Sequence, residues 1–380
     1  MKDLNEKIKE KIKASGGLIT FRDFMDLALY YPELGYYSKG IIRIGKTGDF
    51  VTSPHTHRLF GALISRQLMD FWEILDKPKE FFIIEMGAGV GFLAKDILDY
   101  TREYKKDFFN SIRYIIIEPF DSNIKIQKDN LIEHKKIIEW LKDVNELNDI
   151  TGCIISNELL DAFPVHWIKK IDNKILEIYV GLSNDNFVPI EGQISNQELE
   201  EYSKLLIDYI PNNYNTEVNL DIKHWIQKIS NFLSKGFVLT IDYGYTWKEY
   251  FHPNRNRGTL LSYKGQSVSE NILDMPGEQD ITAHVNFSDL YRWGKSFGFE
   301  TLGYTSQWSF LASLDVEETL KEVIENFNPF SPELAAIKML FLPQGMGDTH
   351  KVMIQSKGLD SNIELKGFKL RNIKDRLEIK

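Results

Sequence analysis

The 380-residue sequence contains a single cysteine, Cys153. One cysteine excludes disulfides within the chain and zinc sites built on several thiolates, and it fits a reducing compartment. No stretch approaches the roughly 18 uninterrupted apolar residues that a membrane-crossing helix needs. Positive charge is in the minority: 46 Lys and Arg face 55 Asp and Glu, a formal net charge of -9. That balance draws the molecule to neither nucleic acid nor anionic lipid, and it suits a basic partner better. The opening segment MKDLNEKIKEKIKASGG mixes both charge signs. It lacks the apolar centre of a secretory signal and the Arg-rich, acid-poor character of a transit peptide. A cytoplasmic location is therefore expected, with no nucleic-acid partner, no membrane span and no metal site. Composition says nothing of oligomeric state.

Internal repeats and low-complexity tracts are also missing. What the chain does have is 43% hydrophobic residues, enough for one main domain and an extra lobe. From Phe81 onward, short apolar runs alternate with helical segments. FFIIEMG, IRYIIIEP, a weaker run at Ile137 to Trp140, GCIISNE and GFVLTIDYG predict five buried strands of a mostly parallel sheet. This is an α/β, doubly wound pattern. FETLGYTSQW and HKVMIQSK predict two later strands that form an antiparallel edge, with helical segments between them. KILEIYVGL and NFVPIEG predict a hairpin, followed by helices from about Asn196 to Leu233. Four parts result. Residues 1–80 form an N-terminal segment and 81–168 the first half of the α/β domain. Residues 169–235 form an inserted lobe, and 236–380 the second half with its antiparallel edge and a helical insertion.

The segment EMGAGVG sets Glu85, Gly87, Gly89 and Gly91 where a strand turns into a helix. Glycines there let a ligand approach the backbone. A dinucleotide fingerprint needs G-x-G-x-x-G, and position 92 is Phe, so an NAD site fails at its third glycine. Glu85 would repel a diphosphate but can help hold the ammonium of an amino-acid cofactor, and S-adenosylmethionine (SAM) carries one. Glu118, at the end of the second strand, can accept from both ribose hydroxyls. Asp143 follows the third strand, where it can meet an adenine amine or simply cap a helix.

Ligands of open α/β sheets sit beyond the carboxyl ends of the strands. The residues trailing the fourth strand are SNELLDAFP, with Asn157, Glu158 and Asp161. A sulfonium is an excellent leaving group, so methyl transfer needs alignment and water exclusion more than acid-base chemistry. A guanidinium acceptor would be oriented by a carboxylate making two hydrogen bonds. Glu158 is the first candidate and Asp161 the second. One of Asn157 and Asp161 can instead cap the segment that follows. His284 can be a general base or a structural histidine. Tyr30, Tyr31, Tyr36 and Tyr37 can wall a groove or fill a core, and Asp242-Tyr243-Gly244 can be a turn or a substrate contact.

Six blocks, FMDLALYYPELGYY, GDFVTSP, EMGAGVG, SNELLDAFPV, IDYG and PGEQDITAHV, occur in an order that resembles the MidA family of SAM-dependent methyltransferases. The resemblance runs over roughly residues 17 to 357. It implies a class I, Rossmann-like methyltransferase fold with an added α+β substrate lobe, SAM as cofactor, and transfer to an arginine of a protein. The mitochondrial members resemble assembly factors of respiratory complex I that modify its 49-kDa-type subunit. By matching positions, Gly87, Gly89, Gly91 and Glu118 would bind SAM. Gly48, Asp49, Thr52, Ser53 and Pro54 would belong to a segment folded over it. With no transit peptide, the chain resembles a bacterial member. It departs at His55, Gln266 and Asn286, where relatives carry an acid, a histidine and an aspartate. The alternatives are a non-catalytic assembly chaperone that keeps the fold, or a methyltransferase of small molecules.

Overall fold

The computed structural model describes residues 3–40, 53–265, 267–324, 331–343, 345–360 and 362–379. Its centre is an eight-stranded sheet. In chain order the seven main strands are β1 (Phe81–Met86), β2 (Ile112–Ile117), β3 (Ile138–Leu141), β4 (Ile150–Asn157), β5 (Leu233–Tyr245), β6 (Glu300–Ser306) and β7 (His350–Lys357). Their order across the sheet is β6-β7-β5-β4-β1-β2-β3, and the short strand Val285–Asn286 adds to β5. β1 to β5 run parallel, as the apolar runs predict. The two late strands differ from expectation: only β7 is antiparallel to the rest, wedged between β5 and the edge strand β6.

A parallel sheet buried on both faces needs apolar residues at nearly every position, and alternation decides which layer each one enters. In β2, Ile112, Tyr114 and Ile116 enter the layer packed by the helices Leu59–Ile74 and Phe92–Tyr104. Ile115 and Ile117 enter the opposite layer. There the helix Asp221–Phe232 presents Ile222, Trp225, Ile226 and Ile229, a spacing of three and four that makes one apolar stripe.

The hairpin Lys174–Ser183 and Asn186–Gly192 forms as predicted. The stretch from Asn196 to Leu233 is not wholly helical. It holds the helices Gln197–Leu206 and Asp221–Phe232, but between them Tyr214–Val218 is a strand paired with His166–Ile171. Its sequence YNTEV is short, and its partner lies far back in the chain, so local pattern cannot reveal it. The strand Ile19–Thr20 pairs with Lys174–Ser183 in this same second sheet. A third core joins Phe21, Phe24 and Leu29 to Val165, Val180 and Ile281. The N-terminal helices are thereby held at the carboxyl ends of the parallel strands. Among the described residues no helix is long and apolar enough to cross a membrane.

Candidate functional site

A cavity of about 1010 Å³ opens beyond the carboxyl ends of β1, β2, β4 and β5. β1 and β4 are adjacent strands from which the chain winds in opposite directions, the switch point where such sheets leave a crevice. Glu85, Gly87, Gly89, Glu118, Asp143, Pro54, Asn157, Glu158 and Asp161 all lie on its wall.

The glycine loop leaves β1 after Met86 and enters the helix Phe92–Tyr104. Gly87, Gly89 and Gly91 have φ of 78°, 54° and 87°, the left-handed region that glycine enters without penalty. Space is short as well. A Cβ at Gly87 would stand 2.9 Å from Leu159 Cδ1, and one at Gly91 would stand 2.9 Å from Leu131 Cδ1. Gly91 is the N-cap of that helix. It sits behind the cavity wall and lets the loop turn.

Glu85 is buried and accepts from the Tyr114 hydroxyl at 2.7 Å. Burial pushes its carboxyl up to about 7 against the opposing pull of Tyr114. Glu118 is held on three sides. Its Oε1 accepts from Phe120 N at 3.1 Å and Asn123 Nδ2 at 3.2 Å, and its Oε2 from Gln127 Nε2 at 3.0 Å. Burial raises its pKa and these bonds counter it. A carboxylate oxygen has about two acceptor sites, so capacity remains toward the cavity. Gln127 also donates to Gly89 O at 2.9 Å and accepts from Trp140 Nε1 at 3.0 Å. One fully buried side chain thus ties the glycine loop to the acid. Asp143 lines the cavity and caps the turn Val144–Glu146, accepting from Asn145 N at 2.9 Å.

The wall also carries a cluster of acids and aromatics. Glu158 follows β4 with φ 51°, a left-handed conformation that costs a non-glycine residue about 1 kcal/mol and clusters at functional sites. Its Oε1 accepts from Ser53 N at 3.3 Å and lies 3.6 Å from His350 Nε2. Among the described residues the buried Oδ1 atoms of Asn157 and Asp161 have no hydrogen-bond partner. Asp161 accepts from the Tyr243 hydroxyl through Oδ2. Burial pushes Asp161 up to about 7, Tyr243 opposes this, and the charge of Glu158 adds to it. Asp242 stands behind the wall and accepts from Leu160 N at 3.0 Å, Asp161 N at 3.4 Å and Tyr243 N at 2.9 Å. Burial, and then Asp161 and Glu158, push its carboxyl well above the usual range. It pins the loop that carries the other acids.

Tyr30 and Tyr37 belong to this wall, stacked at 5.6 Å, while Tyr36 is core. Tyr37 donates to Asp280, a further acid on the wall. His284 stacks on Tyr245 at 5.1 Å, and burial followed by the Arg255 charge lowers its pKa to about 4, so it is neutral near pH 7. Of the N-terminal candidates, Ser53 touches Glu158 and Pro54 lines the cavity, whereas Gly48, Asp49 and Thr52 lie outside the described residues. Among the departures, His55 lines the cavity beside Phe92, with ring centroids 4.8 Å apart. Asn286 caps the helix Phe287–Ser296, as an aspartate would. Gln266 lies outside the described residues. Sequence reasoning missed Gln127, Asp280 and His350. His350 had a signal: the first residue of an antiparallel strand lies at the same sheet edge as the last residues of its parallel neighbours.

A cavity with a glycine loop, a ribose-type acid and further acids on its wall fits an adenosyl cofactor that carries an ammonium and a sulfonium. The comparisons agree. Residues 63–305 match the family described as "Putative S-adenosyl-L-methionine-dependent methyltransferase". The chain is similar to the protein arginine methyltransferase NDUFAF7, mitochondrial, of Homo sapiens, 26% identical over 89% of this chain and 80% of that protein. Its Drosophila melanogaster homologue is 23% identical over 94% of this chain and 85% of that one. A solved structure from Burkholderia thailandensis bound to S-adenosyl-homocysteine is 28% identical, covering 98% of this chain and 96% of that one with a TM-score of 0.87. The cofactor is SAM. The curated relatives are mitochondrial by name, and this overturns the cytoplasmic location expected above. A low cysteine count fits every reducing compartment and separates none of them. With the matched segment covering well over half of its length, the chain belongs to this family of S-adenosyl-L-methionine-dependent methyltransferases.

Proposed function

We propose that the acceptor is the guanidinium of an arginine in a protein, held by Glu158 and Asp161. The observation that carries this reading is the clustering of Glu158, Asp161 and Asp280 with Tyr30, Tyr37 and Tyr243 on the cavity wall. Asp161, whose protonation burial favours, regains its charge when a cation enters, and aromatic faces attract the same cation. A neutral small molecule would gain nothing from that set. The names of the curated relatives, protein arginine methyltransferases, support it.

In this reading Glu85 holds the ammonium of SAM, Glu118 the ribose hydroxyls, and Asp143 the adenine edge, over the backbone of Gly87 and Gly89. Gly91 shapes that loop. Ser53 and Pro54 border the cofactor. SAM supplies the electrophilic methyl. Glu158 makes two parallel hydrogen bonds to the guanidinium and fixes its plane. Asn157, through its free Oδ1, accepts one more N–H. Asp161 takes the proton that the attacking nitrogen sheds, and its pKa near 7 suits that exchange. The family resemblance supports the 49-kDa-type subunit of complex I as the acceptor, with a role in that complex's assembly. Recombinant subunit incubated with methyl-labelled SAM tests this by tandem mass spectrometry. Label on an arginine is expected; label on another residue type, or none with cofactor binding intact, overturns the reading.

A further inference from the structure

One wall of the cavity belongs to a three-stranded antiparallel sheet of Leu261–Lys264, Ser267–Ser269 and Asp280–Thr282, with Leu261–Lys264 in the middle. Tyr263 sits opposite Val268 on one side and opposite Asp280 on the other. Directly opposed residues of antiparallel strands project from the same face. Val268, Tyr263 and Asp280 therefore form one row across the sheet.

The two faces have different surroundings. Tyr263, Asp280 and Thr282 line the cavity. Ile281, one residue out of phase, is fully buried in the third core. The row thus begins inside the site at Asp280, which is 2% exposed and bonded by Tyr37, crosses half-buried Tyr263, and ends in solvent at Val268, 58% exposed. With strands about 4.8 Å apart, Val268 stands about 10 Å from Asp280. Among the described residues no strand pairs the outer edge of Ser267–Ser269.

We propose that this face is the docking ledge for the acceptor protein. It would seat an extended segment whose arginine enters the cavity and whose apolar side chain, two residues from the arginine and therefore on the same side of the segment, about 7 Å away, rests on Val268 and Tyr263. This rests on the arginine reading above. Two observations favour that occupant. The ledge is continuous with the wall that carries the acids, and its inner limit is a carboxylate that complements the guanidinium. An exposed aliphatic side chain at the rim of an acidic cavity gives such a segment its apolar hold.

The experiment compares wild type, Val268→Asp and Val268→Ile on arginine-centred nonapeptides and on the recombinant 49-kDa-type subunit, with methyl-labelled SAM. Affinity for S-adenosylhomocysteine is measured alongside by calorimetry. Val268→Asp is expected to raise KM for the acceptor about tenfold, the effect of losing a half-buried valine contact. It should leave kcat and the calorimetric Kd unchanged, and Val268→Ile should restore KM. Peptides with valine or leucine at the second position from the arginine should be preferred, and Val268→Asp should abolish that preference. An unchanged KM with arginine still labelled overturns the ledge alone. If wild type labels no arginine in any acceptor, the arginine reading fails and the ledge fails with it. A shift of Val268→Asp from oligomer to monomer on gel filtration, with KM unchanged, would assign the face to contact between copies instead.

Discussion

Replacing Glu158 by glutamine keeps the shape of the side chain and removes its charge. Position 158 is left-handed, with φ 51°, and glutamine occupies that region at the same cost as glutamate. The amide oxygen can still accept from Ser53 N. Folding stability is therefore expected to change by less than about 0.5 kcal/mol. The acceptor loses more. A hydrogen bond to a charged group contributes about 1.5–3 kcal/mol, and each 1.4 kcal/mol is about tenfold in rate. The kcat/KM for the arginine acceptor should fall by about tenfold to about 10²-fold. A second signature follows from Asp161. The charge of Glu158 is one of the causes that raise its pKa, so Glu158→Gln should move the acid limb of the pH–rate profile to lower pH. The assay is single-turnover methyl transfer from labelled SAM as a function of pH, with calorimetric binding of S-adenosylhomocysteine as control. An unchanged rate, or a loss accounted for wholly by weaker cofactor binding, would refute the assignment.

The acid Glu85 makes cofactor affinity pH-dependent. Its pKa of about 7 lies above the ordinary 4.5, so its contribution to the stability of the cofactor-free protein is intact below about 4.5 and lost as pH rises through about 7. A urea midpoint that falls across that window is expected, with Asp96 and Asp161 adding in the same direction. SAM affinity should move the other way, rising from about pH 6 to about pH 8 with proton release, because an ammonium favours the ionised acid; a flat profile would contradict the role. Gln127→Leu leaves Gly89 O, Trp140 Nε1 and one bond to Glu118 without their partner. Each orphaned buried group costs about 1–3 kcal/mol, so Kd for SAM measured by calorimetry should rise at least about tenfold, with KM for the acceptor unchanged. Gly91→Ala forces a side chain into φ 87° beside Leu131. It should lower stability in chemical denaturation by roughly 1–2 kcal/mol, and a neutral outcome would show that the loop turns without it.

The parts legible in the sequence are those where one local constraint acts alone. Strands buried on both faces must be continuous apolar runs, so β1, β2, β4 and β5 stand out, and the glycines between β1 and its helix mark the loop. Glu158 and Asp161 were legible because they trail a recognisable strand on the side where ligands bind. The rest depends on contacts distant in sequence. Gln127 lies on the polar helix Asp121–Asn130, and only the fold reveals that its side chain turns inward to bridge Gly89 and Glu118. Asp280 becomes a wall residue because a small sheet folds back over the cavity. His350 belongs to the site because β7 runs opposite to its neighbours. The strand Tyr214–Val218 was hidden because its pairing with His166–Ile171 gives it a structure that YNTEV does not announce.

In the proposed reading the methyl-bearing end of the cofactor faces Glu158 and Asp161. A crystal structure of the protein with S-adenosylhomocysteine tests it directly. The ribose hydroxyls should lie on Glu118, the amino group near Glu85, and the sulfur should face Asn157, Glu158 and Tyr243. A cofactor whose sulfur points instead toward Asp143 and Trp225, away from the acids, would contradict the account.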